Sequence, residues 1–469
     1  MRSKTWLSPA LIGLLGSVLV AFLPFSVGYL PDDLLGWFHR HLWWVRTGNG
    51  RWMFRILALA GSVLLFWAWL RLHPRHGAAP RRRIAALWAL PMLLIPPLQT
   101  ADPWAYAAQG WLLLQGQNPY EVVMGVPSPF TAGIYSAWLD TTAVYPPLAL
   151  WAQAGLVALS GSHPWWSMIA MRVLAVAGFA GMVALAAPLA RRFGMNPAVA
   201  LWGIALNPLM LTQFVGGAHN DAAMLALVLA AFYVARRWQA QWVGIVGSMA
   251  LIGLAAGFKQ TAVIAAVGVA LVTLTDRQRR TWSWPRIGLR VLLCGAIGGA
   301  VFLGTSFATG LGLGWLNPTA GNPNGVISHA PLSWIRQLLV RTLGLPAGGV
   351  DPVITVVSAV LFLAAAVWLL RRFGRSRPVL ATAWILIAFA LTGAALQPWY
   401  VLWGAALLPL CRIPARTARI CVAMIGALLL SCVLQEQWPP TITAPLSMVL
   451  AAVWFRWGRL GPPVAPRPA

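Results

Sequence analysis

Apolar runs of about 15–22 residues recur from one end of the chain to the other, each long enough to cross ~30 Å of hydrocarbon. Lipid offers no hydrogen-bond partners, so a chain written this way has to satisfy its backbone within helices. The runs lie near 7–27, 53–72, 84–99, 168–189, 197–217, 222–235, 242–257, 261–275, 288–306, 352–370, 379–396, 398–411, 420–434 and 441–455. They predict an all-α polytopic bundle of about 14 spans. Composition agrees: 34 Lys and Arg with 9 Asp and Glu leave 9% of the chain charged, against about a quarter in a soluble domain. The 28 Trp and 35 Pro suit aromatic belts and broken helices. The first run follows Arg2 and Lys4 without a small-residue cleavage site, which predicts a retained helix rather than a signal peptide.

The net charge of +25 is topological. All but Lys4 and Lys259 of the 34 cations are arginine, and they fall in small groups between apolar runs. A nucleic-acid binder would gather them on one face or tail, so no nucleic-acid partner is expected. The clusters 71–83, 191–192, 236–237, 277–290, 371–377, 412–419 and 456–467, with the N-terminus, hold 26 of the 34. Placed in the cytoplasm, they make the runs alternate, with both termini inside. The run 146–161 would break that parity and is expected to be interfacial or half-inserted; the proline-broken 84–99 run is the other candidate for not spanning. The four cysteines (Cys294, Cys411, Cys421, Cys432) lack CxxC spacing, so neither a disulfide framework nor a zinc site is indicated.

The same topology sorts the acids, although acids did not enter the assignment. Asp32, Asp33, Asp102, Glu121, Asp140, Asp221, Asp351 and Glu436 fall outside; Asp276 alone falls inside. Acid–base chemistry is therefore sought on the outer face. The chain divides into a two-span segment at 1–83, a catalytic membrane module at 84–275 with outer loop 100–145, and a C-terminal module at 276–469 with outer loop 307–351. Both loops are rich in Pro, Gly, Asn and aromatics, including Asn317-Pro318 and Asn322-Pro323-Asn324-Gly325. Long loops of this kind are functional or disordered, and their aromatic content favours function. The chain shows no internal repeat, which disfavours repeat-built transporters.

Three constellations could carry chemistry. Asp102-Pro103 opens the longest outer segment: Asp before Pro is a common helix start, yet a carboxylate fixed there also has a fixed direction. Asp140 and Glu121 could line the same cavity. Gly217-Ala218-His219-Asn220-Asp221 sets three polar groups at the outer end of a helix, which is a functional signature unless Asn220 or Asp221 merely caps the next helix. Lys259 sits where two short runs meet; such an ammonium either snorkels or meets an anion such as a phosphate. Arg172, Arg336, Arg341 and His329 are further anion partners. Aromatics crowd the same face, among them Trp104, Tyr106, Tyr120, Tyr145, Trp399 and Tyr400, as belt residues or as platforms for a sugar. No Walker loop, dinucleotide fingerprint or nucleophile elbow occurs. Together these features suggest chemistry on a lipid-linked, phosphate-bearing reactant.

The ordered set Asp102-Pro103-Trp104-Ala105-Tyr106-Ala107-Ala108-Gln109-Gly110, Asn118-Pro119-Tyr120, Trp138-Leu139-Asp140-Thr141, Tyr145-Pro146-Pro147, Asn207-Pro208-Leu209 and Gly217-Ala218-His219-Asn220-Asp221 resembles the actinobacterial polyprenol-phosphomannose-dependent α-1,6-mannosyltransferases. These are glycosyltransferases of the GT-C class, which extend the mannan of lipomannan and lipoarabinomannan. The dense match covers roughly residues 84–275. It departs from the family at Pro103-Trp104-Ala105 and at Tyr145-Pro146-Pro147, which bears on acceptor details.

The resemblance implies an inverting transfer, with Asp102 as general base, Asp140 and Asp221 as neighbouring carboxylates, and Lys259 and Arg336 neutralising the leaving phosphate. His219, Asn220, Tyr106, Gln109, Tyr120 and Tyr145 are the remaining expected donor- and substrate-binding residues. The expected partners are membrane lipid, a polyprenyl-phosphate-mannose donor and a mannan or glycolipid acceptor. No cofactor and no metal are expected, since a single phosphate does not demand a divalent ion, and no motif sets an oligomeric state. A decaprenyl-phosphoarabinose donor, or a lipid-linked-sugar flippase, are the alternatives. The expected location is the plasma membrane, with the site facing outward.

Overall fold

The structure is a computed structural model that describes residues 8–26, 31, 40–41, 43–316, 328–435 and 438–457. The expected outer acids Asp32, Asp33 and Glu436, the terminal cations Arg2, Lys4, Arg459 and Arg467, and the Asn-Pro stretch from Asn317 to Gly325 lie outside the described residues. Among the described residues every regular element is helical, as the apolar periodicity requires.

Among the described residues five helices are long and apolar enough to cross a membrane: Gly48–Arg71, Pro164–Arg192, Trp284–Ala308, Ala347–Gly374 and Ala415–Leu434. A sixth crossing results if Pro197–Ala205 and Pro208–Gly216, bent by 40°, count as one span. Most other predicted runs appear as shorter apolar helices, including Pro9–Phe25, Trp242–Phe258, Gln260–Thr273, Pro378–Thr392 and Pro398–Leu410. An apolar helical bundle is what the structure bears out of the fourteen-span expectation. The 146–161 run forms the helix Pro147–Leu159 of 13 residues, roughly 20 Å long and too short to span.

Prolines accompany the two breaks that matter for the site. Pro208 lacks an N–H and crowds the preceding turn; Asn207 accepts from the Leu209 N–H at 3.0 Å and starts the second half. Each half relaxes into a wide π-type turn, Leu201–Ala205 and Leu211–Gly216, a distortion frequent at functional sites. The 84–99 run departs most from expectation. Its helix stops after Arg82–Ala89, a 3-10 turn covers Leu90–Met92, and the chain then runs irregularly to Ala101. Pro91, Pro96 and Pro97 cannot donate to a helix. Backbone of this kind is tolerated at membrane depth only inside protein, and residues 95–102 are all buried.

Close approaches fix the helices that carry the site. A Cβ at Gly178 would stand 2.4 Å from Ala222 C and Ala223 N, so glycine lets Pro164–Arg192 press on the start of Asp221–Arg237. A Cβ at Gly110 would meet the Gln153 backbone at 2.6 Å, which seats Asp102–Leu114 on Pro147–Leu159. Trp69 and Trp202 stack with ring centroids 4.3 Å apart and donate to each other's carbonyl oxygens at 2.9 and 2.7 Å. The loop after Asp102–Leu114 is ordered: Trp104 packs with Phe130, Ile134, Met168 and Met171, and Met124, Gly125 and Ala143 donate backbone bonds to Thr141, Leu139 and Pro119.

Candidate active site

Two chain breaks meet at one buried cluster. Just before it, Gln99 (φ 61°) and Ala218 (φ 55°) both adopt the left-handed backbone region, which costs of the order of 1–3 kcal/mol each for a residue with a Cβ. Asp102 and Asp221 are the first residues of the helices Asp102–Leu114 and Asp221–Arg237, where the helix dipole favours an anion. Neither helix start has a side-chain cap. The capping reading is therefore set aside for both carboxylates.

Asp102 is instead held by side chains. The Thr100 hydroxyl donates to Oδ1 at 2.9 Å and the Tyr106 hydroxyl to Oδ2 at 2.9 Å. His219 Nδ1 lies 3.1 Å from Oδ2. Burial pushes the Asp102 carboxyl up, but the charge and hydrogen bond of His219, with the bonds of Thr100 and Tyr106, bring it below the usual carboxylate value. Burial and the nearby Asp102 charge push the Tyr106 hydroxyl well up, so it stays a proton donor. His219 is fully buried and its ring stacks on Trp399 with centroids 3.7 Å apart.

Asp221 forms the second half. Lys259 Nζ donates to its two carboxylate oxygens at 2.9 and 3.0 Å, and Trp403 Nε1 to Oδ1 at 2.5 Å. The ammonium also lies over the rings of Tyr400 (4.8 Å), Trp403 (5.1 Å) and Tyr145 (5.9 Å). Lys259 neither snorkels nor faces solvent, being 8% exposed. Tyr145 joins the halves, since its hydroxyl lies 3.2 Å from that of Tyr106. The arrangement offers an aimed, ionised carboxylate beside a caged ammonium, enclosed by aromatic rings.

Of the residues expected from the sequence, the structure brings Asp102, Tyr106, Tyr145, His219, Asp221 and Lys259 together. Tyr120 braces them, its hydroxyl donating to the Tyr145 carbonyl at 2.7 Å. Asn220 is buried between His219 and Asp221, and its side-chain amide has no hydrogen-bond partner in the protein. Gln109 is buried one turn beyond Tyr106 and donates to Met124 Sδ. Asp140 is exposed on the loop. Glu121 accepts from Asn118 at 2.7 Å. Arg336 is paired with Asp351 at 2.6 Å, and His329 Nε2 lies 2.8 Å from Ser431 Oγ. Arg172 is turned to backbone carbonyls.

Sequence reasoning missed Thr100 and Trp403. Thr100, two residues before the acid, was legible as a local hydroxyl partner; Trp403 looks like any belt tryptophan, because its partner Asp221 is 182 residues away. Among the described residues no group of three His, Cys, Asp or Glu side chains could hold a metal ion.

Comparison with known proteins gives the chain's relatives. The model of the alpha-(1->6)-mannopyranosyltransferase family, N-terminal domain, matches residues 10–275, which contain Asp102, His219, Asp221 and Lys259. A Mycolicibacterium smegmatis protein, provisionally named an alpha-(1->6)-mannopyranosyltransferase, is 30% identical over 406 residues, covering 76% of this chain and 70% of its own. The alpha-(1->6)-mannopyranosyltransferase A of Mycobacterium tuberculosis is 29% identical over 441 residues, 90% of this chain and 82% of its own. That of Corynebacterium glutamicum is 26% identical over 375 residues, 72% and 75% respectively.

Proposed function

The chain belongs to the alpha-(1->6)-mannopyranosyltransferase family, and from that premise we propose that it transfers mannose from polyprenyl-phosphate-mannose to the 6-hydroxyl of an α-mannan acceptor, with Asp102 as general base. The observation that supports this is the carboxylate of Asp102, buried, ionised and aimed by three side chains, next to the caged ammonium of Lys259.

Asp102 Oδ1 carries one side-chain donor where Oδ2 carries two, so Oδ1 keeps the freer lone pair for the acceptor hydroxyl. The acceptor O6 forms its bond to the anomeric carbon, its proton passes to Asp102, and the bond from that carbon to the phosphate oxygen breaks. Polyprenyl phosphate leaves with the electron pair. A β-linked donor then gives an α-linked product by inversion. So heavily hydrogen-bonded a carboxylate is a weak base, which suffices where the sugar is already oxocarbenium-like when the proton departs.

The leaving phosphate needs charge stabilisation more than protonation. Lys259 has three N–H donors, and its pairing with one carboxylate leaves donor capacity for a phosphate oxygen. Asp221 keeps the ammonium in place and adds negative charge near the cationic sugar. Asn220 and the aromatic rings of Tyr145 and Trp399 suit sugar hydroxyls and faces. We place the site on the outer face of the plasma membrane, because the arginine-rich loops belong on the opposite side.

The test is incubation of the purified full chain with polyprenyl-phosphomannose and a short α-1,6-mannoside, followed by linkage analysis. An added α-1,6-mannose is the expected product. Transfer from decaprenyl-phosphoarabinose alone would replace the donor, and lipid-linked sugar crossing vesicles without glycan extension would replace the reaction.

A further inference from the structure

Arg172 lies inside the long helix Pro164–Arg192 and is 2% exposed. Its guanidinium donates to four backbone carbonyls: Nε to Val215 at 2.9 Å, Nη1 to Leu93 at 3.0 Å, and Nη2 to Gly216 at 3.1 Å and Pro96 at 3.5 Å. These carbonyls belong to two segments where helical bonding has ended. Leu93 and Pro96 lie on the irregular stretch that leads to Asp102; Val215 and Gly216 close the π-type turn that leads to His219. Helix ends leave carbonyls without donor partners, and in a membrane such groups must be satisfied by protein. The two segments are also joined directly, the Leu98 N–H donating to the Gly216 carbonyl at 3.1 Å.

Past this junction the two strands have one feature in common. Each passes through one left-handed residue, Gln99 or Ala218, and delivers one member of the Asp102–His219 pair. A strained residue holds its conformation only where its surroundings over-determine it; here the planar fork of Arg172, with five fixed donors, joins the two strands beside the Leu98–Gly216 bond and the Gln213 amide, which donates to Gln99 Oε1 at 3.0 Å. We propose that Arg172 is a positioning residue that clamps both unwound strands in register, and so sets the contact between Asp102 and His219. It is not a phosphate contact. Lysine cannot substitute, because a compact ammonium cannot reach four carbonyls on two strands with a fixed geometry. The proposal rests on the reading of Asp102 and His219 as the reacting site.

The test compares Arg172→Lys and Arg172→Gln with wild type, as full-length protein in lipid nanodiscs. A misplacement of about 1 Å is enough for a ~10²-fold fall in kcat, and that fall is expected in both variants with donor and acceptor KM unchanged. Hydrogen–deuterium exchange supplies a readout independent of turnover. Amides of 93–102 and 215–221 should exchange faster together in Arg172→Lys, while those of Trp284–Ala308 stay as in wild type. Wild-type kcat in a folded variant overturns the proposal. So does a raised donor KM at unchanged kcat, which would return Arg172 to the phosphate. If neither variant folds, exchange in the wild-type protein decides: the two segments must open as one unit, and opening of one with the other protected overturns the clamp. Full activity of Asp102→Asn with coupled exchange intact would remove the catalytic reading and leave the clamp standing.

Discussion

His219 Nδ1 lies 3.1 Å from Asp102 Oδ2 although the two residues are 117 positions apart. Each closes a broken stretch of chain, and each follows a residue held at positive φ. The contact fixes which imidazole nitrogen faces the carboxylate and, with Thr100 and Tyr106, which way the carboxylate points. The predictions below take the chemistry from this pair outward.

Asp102→Asn keeps the size of the side chain and removes the proton acceptor. Loss of a positioned general base lowers rates by ~10²–10⁴-fold. The variant is expected to lose glycan extension to that extent while remaining monodisperse and folded in detergent. Near-wild-type turnover in the linkage assay would exclude Asp102 as the base.

The pH dependence follows from the same contact. Burial raises the Asp102 carboxyl, but His219, Thr100 and Tyr106 outweigh it and hold the group below its ordinary value. Since the ionised form is the base, wild-type kcat should persist through the ordinary carboxylate range and fall only below it. In His219→Ala the largest opposing influence is gone, so the acid limb should move to higher pH. A profile that does not move would show that His219 leaves the carboxylate unaffected.

Lys259→Met leaves Asp221, which is fully buried, without its countercharge. Breaking a buried pair by removing one partner costs about 3–5 kcal/mol, so a markedly lower Tm is expected. Lys259→Met combined with Asp221→Leu should recover most of that stability and none of the activity. If the double variant is active, or if a folded Lys259 variant keeps wild-type donor KM and kcat, the ammonium has no part in binding the phosphate.

Gly178→Ala places a methyl where the Ala222–Ala223 backbone now runs. Overpacking of this kind costs about 1–3 kcal/mol. The displaced element is the start of the helix that carries Asp221, so activity should fall along with Tm. Unchanged values for both would mean that the two helices separate freely there.

By itself the sequence determined the solvent and the class of fold, because long apolar runs in lipid leave helices as the backbone's way of bonding itself. It also determined one break, through the prolines of the 84–99 run, and the short list of scarce polar groups; the second break, at Asn207-Pro208 inside the run 197–217, came from the structure. Single residues were harder to read, because a first-turn Asp caps a helix as readily as it catalyses, and the pattern is the same for both. Tertiary structure decided between these: Asp102 and Asp221 turn away from their own helix starts, toward His219 and Lys259. It also gave Arg172 to backbone carbonyls and Arg336 to Asp351, and it recruited Trp399 and Trp403 from far along the chain. The physical reason is that pairing in a low-dielectric interior acts over a few ångströms between residues separated by a hundred or more positions. The local pattern specifies which groups must find a partner, and only the packed bundle specifies which partner each one finds.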